Sequence, residues 1–197
     1  MAFNNPAAEL VEGAALTFAA VDHGLQAWAF DPSNATGTYT LATAGTVYVV
    51  ALKVNPRLIS NIVVGVTTAG GTLTASQCFA GLYQGGTLIG TTADQSTAWG
   101  TTGVKTMALA SPVIPLGGLV YAALVFNGTT GPTLAAGTGV QSVNNVGLTA
   151  ATSRYGTANT SVTTALPTTL ATVANLAQAP WVGKANRAVN PKGINDG

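Results

Sequence analysis

Residues 46–54, TVYVVALKV, decide the fold class of this chain. Hydrophobic side chains recur at every second position, which is the period of a β-strand whose alternate residues point to opposite faces. Asn55-Pro56 follows and ends the strand, because proline has no backbone N–H to give to a neighbouring strand. One face of the predicted strand carries Tyr48, Val50, Leu52 and Val54.

Segments with the same period follow along the chain and are separated by turn signals such as Gly70-Gly71 and Gly85-Gly86. Glycine pairs are typical of tight turns between antiparallel strands. A single helical turn is predicted at 94–99. A helix is also predicted at 6–20, although Gly13 in its middle disfavours it. We expect the further strands at 58–67, 77–83, 87–92, 104–109 and 119–126. Short strands at this spacing predict an all-β fold, an antiparallel β-sandwich of jelly-roll-like form with extended terminal arms.

The composition excludes several functional classes. Charged residues make up 7% of the 197 residues, against roughly 25% in an ordinary soluble domain. The best apolar run, 116–126, contains two glycines and is far shorter than the roughly 20 residues that a membrane helix needs. A net charge of +1 provides no strong field for nucleic acid. Cys78 is the single cysteine, so we expect no internal disulfide and no cysteine-based metal site.

Charge divides the chain into three parts. Residues 1–37 contain four of the six acidic residues and no basic one, and are expected to form an acidic N-terminal arm. Residues 38–153 form the predicted sandwich core, which is nearly uncharged. Residues 154–197 form a C-terminal segment with a basic tail that carries Lys184, Arg187 and Lys192.

Several predicted strands are apolar on both faces, whereas a lone antiparallel sandwich normally presents one polar face to water. The second face needs cover from the chain's own arms, from another sheet layer or from neighbouring subunits, and the sequence leaves these alternatives open. We predict a homo-oligomer, most simply a trimer. The residues chosen as a candidate subunit interface are Val47, Val49, Val120, Leu124 and Phe126.

Side chains suited to catalysis are sparse, so no enzyme, catalytic residue, metal site or cofactor is predicted. His23 is the single histidine, and Asp94 is the one acid within the core; a nucleophile needs a base and an orienting group beside it. Asp94 is expected to cap a turn.

The candidate ligand-binding residues are Trp99, Asp94 and Tyr83, because an exposed aromatic ring can stack on a sugar. The alternative for Trp99 is a buried plug at the end of the sandwich.

Residues 38–136 resemble a β-sandwich module of virion proteins of tailed bacteriophages, especially those that infect actinobacteria. That module occurs in small minor structural proteins, such as capsid decoration proteins, and in minor tail proteins. The resemblance implies a fold and a setting, but no catalytic residues. It is carried by 67–74 (TTAGGTLT), 79–83 (FAGLY), 86–96 (GTLIGTTADQS), Trp99, 103–107 (GVKTM) and 128–133 (GTTGPT).

The expected function is therefore that of a structural virion accessory protein of a tailed phage: a capsid decoration, head fibre or minor tail appendage, assembled in the host cytoplasm. Its expected partners are further copies of itself and other virion proteins, either the major capsid protein or tail proteins, with no nucleic acid and no membrane. The alternative is a carbohydrate-binding adhesin module that recognises a glycan of the host envelope.

Overall fold

A computed structural model describes residues 18–138, 145–149, 152–176 and 178–186. Within these ranges the regular secondary structure is almost entirely β-strand. Two short 3₁₀ helices, Ala20–His23 and Pro32–Asn34, and a single α-helical turn, Ser96–Trp99, are the helical elements described. The strands are β1 (Ala27–Trp28), β2 (Gly37–Thr40), β3 (Tyr48–Val54), β4 (Ile59–Thr68), β5 (Gly71–Leu73), β6 (Phe79–Gln84), β7 (Thr87–Thr91), β8 (Gly103–Val113), β9 (Gly118–Val125), β10 (Gly128–Thr130), β11 (Thr133–Ala136), β12 (Tyr155–Thr157), β13 (Ala174–Asn175) and β14 (Val182–Ala185).

The strands form two six-stranded antiparallel sheets and a small two-stranded one. The first sheet is organised around β4: β8 pairs with one side of it, and β14 and β11 follow each other along the other side. β1 then pairs with β14, and β2 with β11. The second sheet has the order β13-β12-β3-β9-β6-β7, and β10 pairs with β5.

The main hydrophobic core lies between the two large sheets. Leu52, Leu82 and Leu124 of the second sheet pack in one cluster with Ile62 and Val182 of the first. Alternate residues of each strand point into this layer, as the period of two predicts. The all-β antiparallel sandwich is thus confirmed, while its jelly-roll form stays a prediction.

Residues 158–173, here called the covering segment, bury the outer face of the second sheet. Val162, Leu166 and Val173 pack on the outward residues of β3, β6 and β9. Gly81 has no side chain, so Leu166 packs directly on the backbone of β6. Backbone hydrogen bonds hold the segment, including Val162 N to Gly45 O at 2.9 Å and Leu170 N to Gly86 O at 2.8 Å.

The chain also covers part of the outer face of the first sheet. Leu25, Val63, Trp181 and Ala185 form a separate buried cluster there. The indole N–H of Trp181 donates to the carbonyl oxygen of Phe30 at 3.1 Å, which ties the chain before β2 to the start of β14. Of the alternatives that the sequence left open, segments of the same chain provide the cover on both sheets.

Two features differ from what the sequence indicates. Four strands lie outside residues 38–153 and still belong to the two large sheets. β14 pairs with β4 and β1 with β14 in the first sheet, whereas β12 pairs with β3 and β13 with β12 in the second. The predicted strand at 58–67 begins with Leu58, but Leu58 is exposed and β4 begins at the buried Ile59, where the β4–β8 pairing is irregular. The predicted helix at 6–20 falls largely outside the described residues.

Candidate functional site

Trp99 is buried, with 1% of its surface exposed. Its indole N–H donates to the Met107 sulfur at 3.2 Å, and its ring belongs to the core between the sheets. A buried ring has no free face on which a sugar could stack. The plug interpretation of Trp99 describes the structure, and the ligand-binding interpretation of this residue is wrong.

Asp94 caps the loop that precedes the helical turn. Its carboxylate accepts a hydrogen bond from the Cys78 backbone N–H at 3.1 Å and another from the Ser96 hydroxyl. Partial burial acts to raise the pKa of Asp94, but hydrogen bonds from the Ser96 hydroxyl and from the backbone N–H groups of Ser76, Cys78 and Ser96 together hold it below its usual value. The carboxylate is therefore engaged in holding the backbone.

Tyr83 lies on the opposite side of the second sheet from Trp99, so the two rings do not form one site. Its hydroxyl donates to the Pro167 carbonyl oxygen at 2.6 Å, and burial raises the pKa of the phenol. The three candidate ligand-binding residues thus serve as a core plug, a turn cap and an anchor for the covering segment.

The five residues chosen as a candidate subunit interface are buried inside a single chain. Val120, Leu124 and Phe126 face the other sheet across the main core, and Val47 and Val49 lie under the covering segment. None of them can reach a second subunit unless part of this fold opens. The structure therefore places them in the core of one chain, which corrects the interface prediction at these positions.

The remaining candidates for chemistry are engaged in packing. Cys78 is buried, its thiol lies 3.5 Å from the Asn127 carbonyl oxygen, and burial raises the pKa of that thiol. The His23 ring packs edge-on between Phe18 and Trp28.

Among the described residues, no group of three or more His, Cys, Asp or Glu side chains is placed to hold a metal ion. In the same part of the chain, no helix is long and apolar enough to cross a membrane.

A groove of about 600 Å³ opens beside β1, and we call it the Trp28 groove. The sequence did not predict it, because it combines a ring from the presumed arm with residues more than 90 positions later. The lining consists of Trp28, Ala29, Ala51, Lys53, Leu119, Leu148, Thr152 and Arg154.

Three exposed apolar side chains form what we call the apolar end of the sandwich: Leu58, Ile114 and Leu116, which are 45%, 66% and 92% exposed. Leu58 and Ile114 are neighbours because Ile59 pairs with Val113. The loop that carries Leu116 is held by the side-chain amide of Gln84, which accepts from Leu116 N at 2.9 Å and donates to Gly117 O at 2.8 Å.

Lys184 is fully buried in β14, within what was expected to be a basic tail. Its amine has no hydrogen-bond partner among the described residues. Burial lowers the pKa of Lys184 to about 7. This side chain therefore contributes little positive charge to the surface; Arg187 and Lys192 lie outside the described residues.

No protein-family model and no curated protein matches this chain.

Proposed function

We propose that this chain is a structural, non-enzymatic accessory protein of a tailed-phage particle, assembled as a homo-oligomer. The resemblance of residues 38–136 supports the virion setting, either as a capsid decoration or head fibre or as a minor tail appendage. The observation that carries the assembly proposal is the apolar end, Leu58, Ile114 and Leu116. Its proposed occupant is the same surface of further copies of this chain, with three copies as the simplest arrangement.

The apolar end suits docking because it is both exposed and held in place. Pro115 is buried between the exposed Ile114 and Leu116, so the loop is anchored at its middle. The two hydrogen bonds from Gln84 fix the loop backbone further. Docking a loop that is already ordered costs less conformational entropy than ordering a flexible one, and apolar area removed from water contributes about 25 cal/mol per Å².

The area involved favours several copies around one axis. Three side chains provide only a few hundred Å², whereas a stable two-body interface buries roughly 800 Å² on each partner. Around a shared axis each apolar end contacts two neighbours instead of one. A cluster of this size therefore fits a small ring of subunits better than a simple dimer.

The carbohydrate-binding alternative depended chiefly on Trp99, which the structure buries in the core. We therefore propose no second function.

The test of assembly is the mass of the purified full-length chain in solution, measured by sedimentation at micromolar concentration. We expect an oligomer, and we expect Ile114→Ser combined with Leu116→Ser to give a monomer with an unchanged circular dichroism spectrum. Val104→Ser is the control, because Val104 is an exposed apolar residue as well, at 45%, but lies at the opposite end of β8 from the apolar end. A monomeric wild-type chain, or a double variant that assembles normally, would contradict the proposal.

The virion setting has a test of its own. Particles purified from a phage that encodes this chain are expected to contain it in a fixed copy ratio to the major capsid or tail protein. Its absence from such particles would show that the chain is not a virion component.

A further inference from the structure

The Trp28 groove combines an apolar floor with a cationic rim. Ala51 and Leu119 are outward residues of β3 and β9 that the covering segment leaves partly open. Trp28 and Leu148 add apolar side chains to the lining. This combination fits an occupant that carries apolar and acidic side chains together.

The cations of this rim are Lys53 and Arg154, both exposed. The acidic side chains of the described residues are already used locally. Asp22 accepts from the Ala19 backbone N–H at 2.8 Å, Asp31 from that of Ser33 at 2.8 Å, and Asp94 from that of Cys78 at 3.1 Å. The acids that remain in the chain are Glu9, Glu12 and Asp196.

The described chain begins close to the groove. Phe18, 72% exposed, packs its ring on His23 with centroids 5.7 Å apart. The His23 ring in turn lies 5.2 Å from Trp28, which lines the groove. Glu12 stands six residues before Phe18, a stretch that spans at most about 20 Å when extended. A segment joined to the described chain at Phe18 is therefore long enough to reach the groove.

The sequence of residues 1–17 is complementary to the groove. Glu9 and Glu12 flank the apolar pair Leu10-Val11, and the segment contains no basic side chain. A tethered segment also competes at an effective concentration of about millimolar, without the full entropic cost of a separate partner.

We propose that residues 1–17 dock in the Trp28 groove of their own chain, with Leu10 and Val11 on the apolar floor and Glu9 and Glu12 beside Lys53 and Arg154. The docked segment covers apolar surface that the covering segment leaves open, and the two acids neutralise the rim.

Zero-length carbodiimide cross-linking of the full-length chain, followed by peptide mass spectrometry, tests this proposal. The reagent joins a carboxylate to an amine that it touches, so we expect Glu9 or Glu12 to be linked to Lys53. Lys105 is the matched control, because its amine is at the surface but bonded to Thr101 and Thr102. We expect the Lys53 link to exceed any Lys105 link roughly tenfold, as a high local concentration implies.

A mixture of ¹⁴N- and ¹⁵N-labelled chains separates docking within a chain from docking between chains. If both peptides of each linked pair carry the same isotope, the link formed within one chain and the proposal is supported. If pairs of one ¹⁴N and one ¹⁵N peptide occur as often as random pairing of chains gives, the link forms between chains and the proposal is overturned. Equal links to Lys53 and Lys105, or no link to either, also overturn it.

Charge exchange provides a second readout that does not depend on cross-linking chemistry. Lys53→Glu with Arg154→Glu should release residues 1–17 to protease, and adding Glu9→Lys with Glu12→Lys should restore their protection. Failure of the restoring pair, with the fold intact by circular dichroism, overturns the proposal. Binding of an acidic polysaccharide such as alginate that shields Lys53 while residues 1–17 remain unlinked would identify a glycan groove instead.

Discussion

The Tyr83 hydroxyl donates a 2.6 Å hydrogen bond to the carbonyl oxygen of Pro167, across the interface between the second sheet and the covering segment. Pro167 directly follows Leu166, whose side chain packs on Gly81. One residue of β6 thus anchors the segment that seals the apolar outer face of its own sheet. This bond is therefore part of what keeps the outer face of the second sheet covered by the chain itself.

We expect Tyr83→Phe to lower the free energy of unfolding by about 1–2 kcal/mol, because it leaves a part-buried carbonyl without its donor. Hydrogen exchange should accelerate most at the amides of Leu88 and Leu170, which bond across the same interface. Tyr39→Phe is the control, since Tyr39 lies in the other sheet and packs on Tyr48. Unchanged exchange at Leu88 and Leu170 would mean that the bond does not hold the segment.

Trp99→Ala should lower the free energy of unfolding by about 3–5 kcal/mol, because it removes a large buried side chain from the core. Trp99→Phe keeps most of that volume and loses the contact between the indole N–H and the Met107 sulfur, so its cost should be smaller. Chemical denaturation measures both. If the chain binds a glycan, Trp99→Phe should leave that binding intact. Loss of glycan binding in a variant of unchanged stability would revive Trp99 as a ligand residue.

Asp94→Asn should weaken the dependence of the free energy of unfolding on pH in the acidic range. The pKa of Asp94 in the folded chain lies below its usual value, so its carboxylate stabilises the fold above the unfolded pKa, and this contribution is lost as pH falls through the folded pKa. The loss at neutral pH should be about 1 kcal/mol, as for other capping residues. Asp31→Asn is the control and should have a smaller effect, because less protein surrounds that carboxylate. An unchanged dependence on pH in the acidic range in Asp94→Asn would exclude this role.

Much of the sandwich could be predicted from side-chain period. On β3, one face enters the main core as the sequence indicated, because an extended strand leaves each side chain only two directions. The period of two is also found on β9, but its inward face was not identified: Val120 and Leu124, chosen for an interface, enter the main core. The turn at 94–99 was predicted as well and is found at Ser96–Trp99.

The cover of the outer faces could not be predicted in the same way. Residues 158–173 form none of the named strands and have no regular period, and they are held by backbone bonds to Gly45 and Gly86 that leave no pattern in the sequence. Candidate interface residues such as Val47 were chosen for their apolar character, which is equally expected of a core residue. The Trp28 groove was missed because its lining residues are distant in sequence.

Lys184 was the least predictable residue of all, because lysine is rarely fully buried. Its strand, β14, pairs with both β1 and β4, and Lys184 shares a register with Ala27 and Ile62. Pairing on both sides fixes the backbone of β14, so the side chain remains in the interior although its amine has no hydrogen-bond partner among the described residues.

Replacing this amine with a thioether of similar length should stabilise the protein. The pKa of Lys184 is lowered by burial to about 7 in the folded chain, below the usual value near 10.4 in an unfolded chain. Between these two values the unfolded state binds more protons, so stability rises with pH from about 7 to about 10 and is insensitive to this group below that window. Lys184→Met should remove this rise and increase the free energy of unfolding at neutral pH by about 4 kcal/mol, the equivalent of the shift in pKa.

Denaturant unfolding at several pH values across that window measures both effects. Lys105→Met is the matched control: its amine bonds to Thr101 and Thr102 near the surface, so we expect a change within about 0.5 kcal/mol. A less stable Lys184→Met variant would mean that the amine is charged and paired with an anion from outside the described residues, because breaking a buried ion pair costs about 3–5 kcal/mol. The sign of this one substitution therefore decides whether Lys184 is a neutral amine in an apolar core or half of a concealed ion pair.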